Sequence, residues 1–216
     1  MPFAAVLFDL DGTLLDTIED LTDSMNAALA RLGFRPGSME QCKHFVGDGM
    51  RKFAERALPE QARDAATIDR LVENMRSEYS NRWSTKTRPY EGIPELLGEL
   101  TRRRLAMAVL SNKPEDMTRR MVYAMLPGAP FAEVRGAIDG VAKKPDPTAA
   151  LSIARSLKTH PEQFLYVGDT GTDMQTAVAA GMSPVGVLWG FRDADELTDS
   201  GAETLIYHPS ELLNLL

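Results

Sequence analysis

The sequence predicts an α/β fold: a parallel sheet flanked by helices, with an all-helical segment inserted after the first strand. Three observations carry this. An apolar run over residues 4–8 suits a strand buried on both faces. Residues 17–85 show helical periodicity and no strand signal. Beyond Pro89, strand and helix patterns alternate, which is the texture of βαβ units and implies parallel strands covered by helices.

In the insertion, a first helix is predicted from Asp16 or Thr17 to Leu32. Ile18, Leu21, Met25, Ala28, Leu29 and Leu32 form its apolar stripe, and Gly33 is its stop. Ser38 caps a short helix running to Phe45, and Val46-Gly47-Asp48-Gly49 makes a tight loop. Further helices are predicted over 50–58 and 64–83, the longer one carrying Ile68, Leu71, Val72, Met75 and Tyr79. The alternating region then predicts helices over 94–103, 114–125, 147–157, 172–180 and 209–216. Its strands are expected over 105–110, 164–167, 184–189 and 205–206. The opening strand joins the same sheet. The expected division is therefore a Rossmann-like core, residues 1–16 and 86–216, and a small helical cap, residues 17–85, lying over the active site.

Composition narrows the class of function. At 44% hydrophobic and 25% charged residues, the composition is that of an ordinary globular protein, and no long disordered tail is expected. A net charge of −7, with Arg102-Arg103-Arg104 and Lys143-Lys144 as its short basic clusters, argues against nucleic acid as a partner. Cys42 stands alone, so no intrachain disulfide can form, and a reduced cytoplasm is expected. The first residues lack a basic region and Asp9 cuts the apolar run, so no signal peptide is expected, and no apolar stretch approaches the ~20 residues of a membrane span. The expectation is a cytoplasmic monomer or homodimer acting on a small molecule.

The strand ends carry the chemistry. The first strand stops at Asp9 and Asp11, spaced i and i+2, so both point to one side if the chain stays extended. A calcium loop does not fit: Gly12 comes too early and Asp20 stands where the bidentate Glu would be. The strand over 105–110 runs into Ser111-Asn112-Lys113, and that over 164–167 into Gly168-Asp169-Thr170-Gly171-Thr172-Asp173. Lys143-Lys144-Pro145 precedes another helix. Taken singly, Ser111 reads as a helix cap, Lys144 as a surface lysine and Asp169 as a turn former. In a parallel sheet, however, all these ends meet at one edge.

A hydroxyl, a cation and three or four carboxylates at one edge suit phosphoryl transfer, where the protein must position and neutralise spread negative charge. Clustered carboxylates would repel a phosphate unless a divalent cation lay among them, and all-oxygen ligands suit Mg²⁺. One Asp can attack phosphorus while its neighbour serves as acid and then base. Ser111 and Lys144 offer a hydrogen bond and a positive charge to the phosphoryl oxygens.

Four motifs in order, Asp9-Leu10-Asp11-Gly12-Thr13, Ser111, Lys144-Pro145 and Gly168-Asp169 with Asp173, resemble the haloacid dehalogenase-like superfamily of phosphatases over the whole chain. The resemblance implies Asp9 as nucleophile and Asp11 as acid/base. It implies magnesium held by the Asp9 carboxylate, the Asp11 main-chain carbonyl and Asp169, with Asp173 outside them orienting a bound water or the lysine. Ser111 and the amides near Gly12 would bind phosphate, and Lys144 would bridge phosphate and Asp9. Details are closest to phosphoglycolate phosphatases: the run His44-Phe45-Val46-Gly47-Asp48-Gly49, then Ser111-Asn112-Lys113-Pro114, then Trp189-Gly190-Phe191. Gly12, Thr13 and Asn112 are thus assigned to substrate binding. If the substrate is 2-phosphoglycolate, Arg51 in the first turn of a helix and His44 upstream are expected to read its carboxylate. Phosphosugars, nucleotides and pyrophosphate are the alternative substrates, and a phosphosugar mutase shares the core. A dehalogenase would lack the second Asp.

Overall fold

Ala5, Val6, Leu7 and Phe8 are completely buried and form β1 (Ala5–Phe8), a strand with apolar packing on both faces. The computed structural model describes residues 3–216. Along the chain follow β2 (Leu15–Asp16), α1 (Ile18–Arg31), α2 (Met39–Phe45), α3 (Met50–Ala57), α4 (Ala65–Arg82) and β3 (Arg88–Pro89). Next come α5 (Ile93–Arg102), β4 (Ala106–Pro114), α6 (Glu115–Met125), β5 (Phe131–Ala137) and α7 (Thr148–Ser156). The last elements are β6 (Phe164–Gly168), α8 (Gly171–Ala180), β7 (Ser183–Val187), α9 (Ala194–Asp199) and β8 (Thr204–Ile206). Two compact units result: Met1–Leu15 with Pro89–Leu216, and Asp16–Arg88.

The larger unit holds a six-stranded sheet in the order β5-β4-β1-β6-β7-β8, parallel throughout. β1 lies inside it, paired with β4 from Ala5↔Ala106 to Phe8↔Val109 and with β6 from Ala5↔Phe164 to Phe8↔Val167. That register sets the end of β1 level with the end of β6 and beside Val109 of β4, which runs on past them. Ala5 and Leu7 share a core with Ala108, Leu110, Ile153 of α7, Phe164, Tyr166 and Ala177 of α8. Every strand that carries chemistry is thus fixed by buried apolar neighbours.

The smaller unit is a four-helix body in which α1 packs on α4 through Leu21, Met25 and Leu29 on one side and Leu71, Met75 and Tyr79 on the other. Ser38 caps α2 with a full capping box: its Oγ accepts from the Gln41 amide at 3.2 Å, and Gln41 Oε1 accepts from the Ser38 amide at 2.9 Å. Asp64 caps α4 by accepting from the Thr67 amide at 3.0 Å. Glu78 is buried and held by Arg31 and Arg82.

Several elements differ from the sequence reading. β5 and α9 went unforeseen, because β5 is an edge strand whose Glu133 and Arg135 pair with each other and obscure a short apolar pattern. β2 and β3 form a small two-stranded ribbon where no strand was expected. The stretch Pro209–Leu215 is a 3₁₀ helix rather than an α-helix. β4 runs on to Pro114, so Ser111, Asn112 and Lys113 lie within the strand and not in a loop after it. Among the described residues, no helix is long and apolar enough to cross a membrane.

Asp20, in the first turn of α1, is 1% exposed and ties the two ends of the smaller unit together. Its carboxylate accepts from the Lys86 amide at 3.0 Å and from the Thr87 amide and hydroxyl, each at 2.8 Å. Asp20→Ala would leave these buried donors unpaired and should cost about 2–4 kcal/mol. Urea denaturation followed by circular dichroism measures this, and a loss below ~1 kcal/mol would show that water replaces the carboxylate.

Candidate active site

The turn after β1 is built by backbone bonds. Gly12 N–H donates to Leu15 O at 2.9 Å, and the Leu14 and Leu15 amides both donate to Leu10 O, at 3.0 and 2.9 Å. Gly12 has φ +89°, and a Cβ there would lie 2.1 Å from Asp169 Oδ2. Glycine is required here twice over, by its backbone angle and by the approach of a carboxylate. The turn leaves Asp9 6% and Asp11 8% exposed, at the edge where β4 and β6 also end.

Lys144, from the segment before α7, reaches into this edge and is almost wholly buried. Its ammonium donates to Asp9 Oδ1 at 2.6 Å, Asp173 Oδ1 at 2.7 Å and Leu110 O at 3.1 Å. Burial works against its charge, but Asp173 and Asp9 outweigh that and hold the ammonium protonated well above the usual lysine range. Asn112 anchors the segment by a two-sided amide bond: its Nδ2 donates to Lys144 O and its Oδ1 accepts from Lys144 N, each at 3.0 Å. Beside this network Lys113 Nζ donates to Asp11 Oδ1 at 2.6 Å, with both side chains buried.

Asp169, at the end of β6, is completely buried and has neutral hydrogen-bond donors: Thr13 Oγ1 at 3.0 Å and the Phe191 amide at 2.9 Å. Its carboxyl is held well above the ordinary range by burial, then by the charges of Asp9 and Asp173. Asp9 is pushed up to about 7, chiefly by burial, although Lys144 pulls the other way. Asp173 is wedged into the capping box of α8: its Oδ2 accepts from the Thr170 amide at 3.1 Å and hydroxyl at 2.6 Å, and its Oδ1 meets Tyr166 Oη at 3.4 Å. Oxygens of Asp9, Asp169 and Asp173 all come within 4.8 Å of one another. Asp9 and Asp173 share one ammonium, Asp169 has neutral donors, and Lys113 is paired with Asp11. This excess of negative charge on hard oxygen donors fits a divalent cation such as Mg²⁺.

The segment after β7 completes the site. Trp189 Nε1 donates to Thr13 O at 3.0 Å, and a Cβ on Gly190 would strike Asp169 Cβ at 2.3 Å and Gly12 O at 2.5 Å. Trp189-Gly190-Phe191 therefore clasps the β1 turn and Asp169 together.

The fold brings Asp9, Asp11, Ser111, Lys144, Asp169 and Asp173 to one sheet edge. Ser111 is 4% exposed, and its Oγ accepts from the Lys113 amide at 3.2 Å, leaving its proton to be donated. Other expected site residues have partners of their own in this structure. Gly12 and Thr13 were expected to bind phosphate, but the Gly12 amide is spent on Leu15 and the Thr13 hydroxyl on Asp169. Asn112 likewise turns its amide to the Lys144 backbone, so it positions the lysine. Arg51 is more than half exposed and paired with Asp69 of α4, Asp48 is paired with Arg56, and His44 is exposed near the end of α2. Sequence reasoning missed Lys113 as a site residue. Its signal was available: once β4 extends, Ser111 and Lys113 stand i and i+2 on one face.

Comparison with known proteins agrees with this geometry. A family model described as haloacid dehalogenase-like hydrolase matches residues 6–187. A phosphoglycolate phosphatase of Pseudomonas putida is 34% identical over 189 residues, covering 86% of this chain and 70% of that protein. The N-acetylmuramic acid 6-phosphate phosphatase of Pseudomonas aeruginosa is 31% identical over 222 residues, covering 100% of this chain and 96% of that protein. Among solved structures, a provisionally named phosphoglycolate phosphatase from Lactobacillus delbrueckii subsp. bulgaricus matches with TM-score 0.93 and 30% identity, over 98% of this chain and 97% of that one.

The carboxylate crowd has a measurable cost. An unfolded Asp titrates near 3.8 and folded Asp9 near 7, with Asp169 also raised, so the folded state binds more protons in between. Stability should therefore fall as pH rises through that window. Asp169→Asn keeps an acceptor for Phe191 and removes one charge. In chelator at pH 8 it should melt about 3–8 °C above the parent, equivalent to ~1–2 kcal/mol in a chain of this size, with the gap closing toward pH 4. Magnesium should raise the melting temperature of the parent and not of the variant. Calorimetry at the two pH values tests both statements, and a variant that melts below the parent at pH 8 would contradict the first.

Proposed function

The chain belongs to the haloacid dehalogenase-like hydrolases, and from that premise we propose that it is a magnesium-dependent phosphatase working through an aspartyl-phosphate, with 2-phosphoglycolate as substrate. The observation that carries the reading is the division of the first two acids between two lysines, Asp9 on Lys144 and Asp11 on Lys113. Two carboxylates of one motif held apart this way can take separate roles, nucleophile and acid/base.

In the proposed reaction an Asp9 oxygen attacks phosphorus and the ester P–O bond breaks. Asp11 gives its proton to the departing alkoxide oxygen. A water then attacks the phosphorus of the aspartyl-phosphate, Asp11 takes a proton from it, and the P–O bond to Asp9 breaks to release phosphate. Lys144, anchored by Asn112 and Asp173, keeps Asp9 aimed and offers charge to the transferring oxygens. Ser111 donates to one of those oxygens. Asp9, Asp169 and the Asp11 carbonyl would hold a magnesium ion, which supplies the neutralising charge that lets a phosphate dianion approach buried carboxylates. The helical unit, inserted between β1 and the rest of the core, is proposed as a cap that selects the substrate.

Two relatives frame the choice of substrate, one named for phosphoglycolate and one for N-acetylmuramic acid 6-phosphate. The second favours a sugar phosphate as the competing reading. Phosphate release from 2-phosphoglycolate, N-acetylmuramic acid 6-phosphate and hexose phosphates, with and without magnesium, decides between them. A kcat/KM for phosphoglycolate at least ~10-fold above the sugar phosphates is expected, a difference of about 1.4 kcal/mol in barrier.

Two variants separate the acids. Asp9→Asn should abolish turnover, since an amide neither attacks phosphorus nor forms the intermediate. Residual activity above a few per cent of the parent would remove Asp9 as nucleophile. Asp11→Asn should bind magnesium as the parent does while losing ~10²–10⁴-fold in kcat. A magnesium titration that shows weakened metal binding in Asp11→Asn would contradict the assignment of the main-chain carbonyl.

A further inference from the structure

We propose that Lys113 reads the carboxylate of the substrate, exchanging its ion pair with Asp11 for one with the substrate when that arrives. The inference deepens the phosphoglycolate reading and rests on it. Lys113 is a second buried ammonium at the sheet edge, and the proposed phosphoryl chemistry assigns it nothing beyond its ion pair with Asp11. Lys144 cannot serve the far end of the substrate, because three acceptors already hold it, Asp9, Asp173 and Leu110 O. Arg51, the reader expected from the sequence, is committed to Asp69 on the surface of the helical unit.

Geometry places Lys113 where a carboxylate would be. Its Nζ lies 2.6 Å from Asp11 Oδ1. In the proposed reaction Asp11 hydrogen-bonds the ester oxygen of the substrate, so Lys113 stands two hydrogen-bond lengths from that oxygen, ~5–6 Å. In 2-phosphoglycolate the ester oxygen carries a single methylene and then the carboxylate, which spans that gap. A carboxylate across a sugar ring from its phosphate does not fall there. The position is also chemically apt: a buried ammonium should not be left without a counter-charge, and Asp11 supplies one until the substrate does. Exchange then frees Asp11 Oδ1, which takes up a proton from solvent once its cation is gone and presents it to the ester oxygen. Binding a carboxylate-bearing substrate and releasing the acid/base become one event.

The test compares 2-phosphoglycolate with ethyl phosphate, which is the same ester without the carboxylate. In Lys113→Gln, whose amide can still donate to Asp11, the ratio of kcat/KM for phosphoglycolate over ethyl phosphate should fall roughly 10- to 100-fold, with KM carrying most of the loss. Lys113→Met replaces it, with the same expectation, if circular dichroism shows that the Gln variant does not fold. A parent that prefers phosphoglycolate and a variant with an unchanged ratio would overturn the role of Lys113 alone, leaving it as a support for Asp11. A parent that shows no preference for phosphoglycolate over ethyl phosphate would overturn the substrate reading itself, and the role of Lys113 with it.

Discussion

The Lys144 ammonium, shared between Asp9 and Asp173 and capped by the Leu110 carbonyl, is the contact on which the rest of the site depends. A buried carboxylate costs several kcal/mol in desolvation, and a second beside it costs more by repulsion. One lysine offsets part of that for two acids and ties together three stretches of chain, the end of β1, the segment before α7 and the first turn of α8. Its own segment has little regular structure, so its placement falls to Asn112, whose amide grips the Lys144 backbone from both sides. Asn112 thus acts on the chemistry at one remove.

What Lys144 leaves uncompensated is as informative. Among the described residues, Asp169 is given a hydroxyl and a backbone amide and no cation, while Gly12 and Gly190 crowd it with backbone and exclude side chains. Keeping that carboxylate dry costs stability, which a bound divalent cation would recover. Around Asp169 the protein has invested in rigidity: a capping box on α8, a Trp189 bond to the Thr13 carbonyl and a turn closed on itself by Leu10 and Leu15. A site of this kind is prepared before any ligand binds, and that is how electrostatic catalysis avoids a reorganisation cost during the reaction.

Much of this was legible in the chain. The sheet, the order of its motifs and the boundaries of most helices follow from local patterns, because an apolar run, a cap residue and a Gly stop act within a few residues. Ser38 caps its helix as expected from the sequence. β5 did not read as a strand, since a partner from β4 rather than its own pattern makes it one, and Glu133 and Arg135 neutralise each other only after pairing. Among site residues, the acids and Lys144 were legible as chemistry at strand ends. The hydrogen-bond partners of Gly12, Thr13 and Asn112 were not. Each has a donor or a shape that would suit a phosphate, and only the neighbours show where it is spent.

The sequence by itself determined which groups reach the sheet edge: an apolar strand must be buried, burial in a parallel sheet aligns the strand ends, and the residues at those ends come with it. That chain of causes is local up to its last step, so residue types suffice. Tertiary structure alone decided how those groups are partnered. Lys144 lies 135 residues from Asp9, and Lys113 is 102 from Asp11. A charged pair forms over such a separation when the sheet register and the turn after β1 bring two atoms within hydrogen-bond reach, and no pattern within either segment encodes that distance. Which carboxylate takes which lysine, and which has neutral donors, is therefore a property of the packed sheet edge.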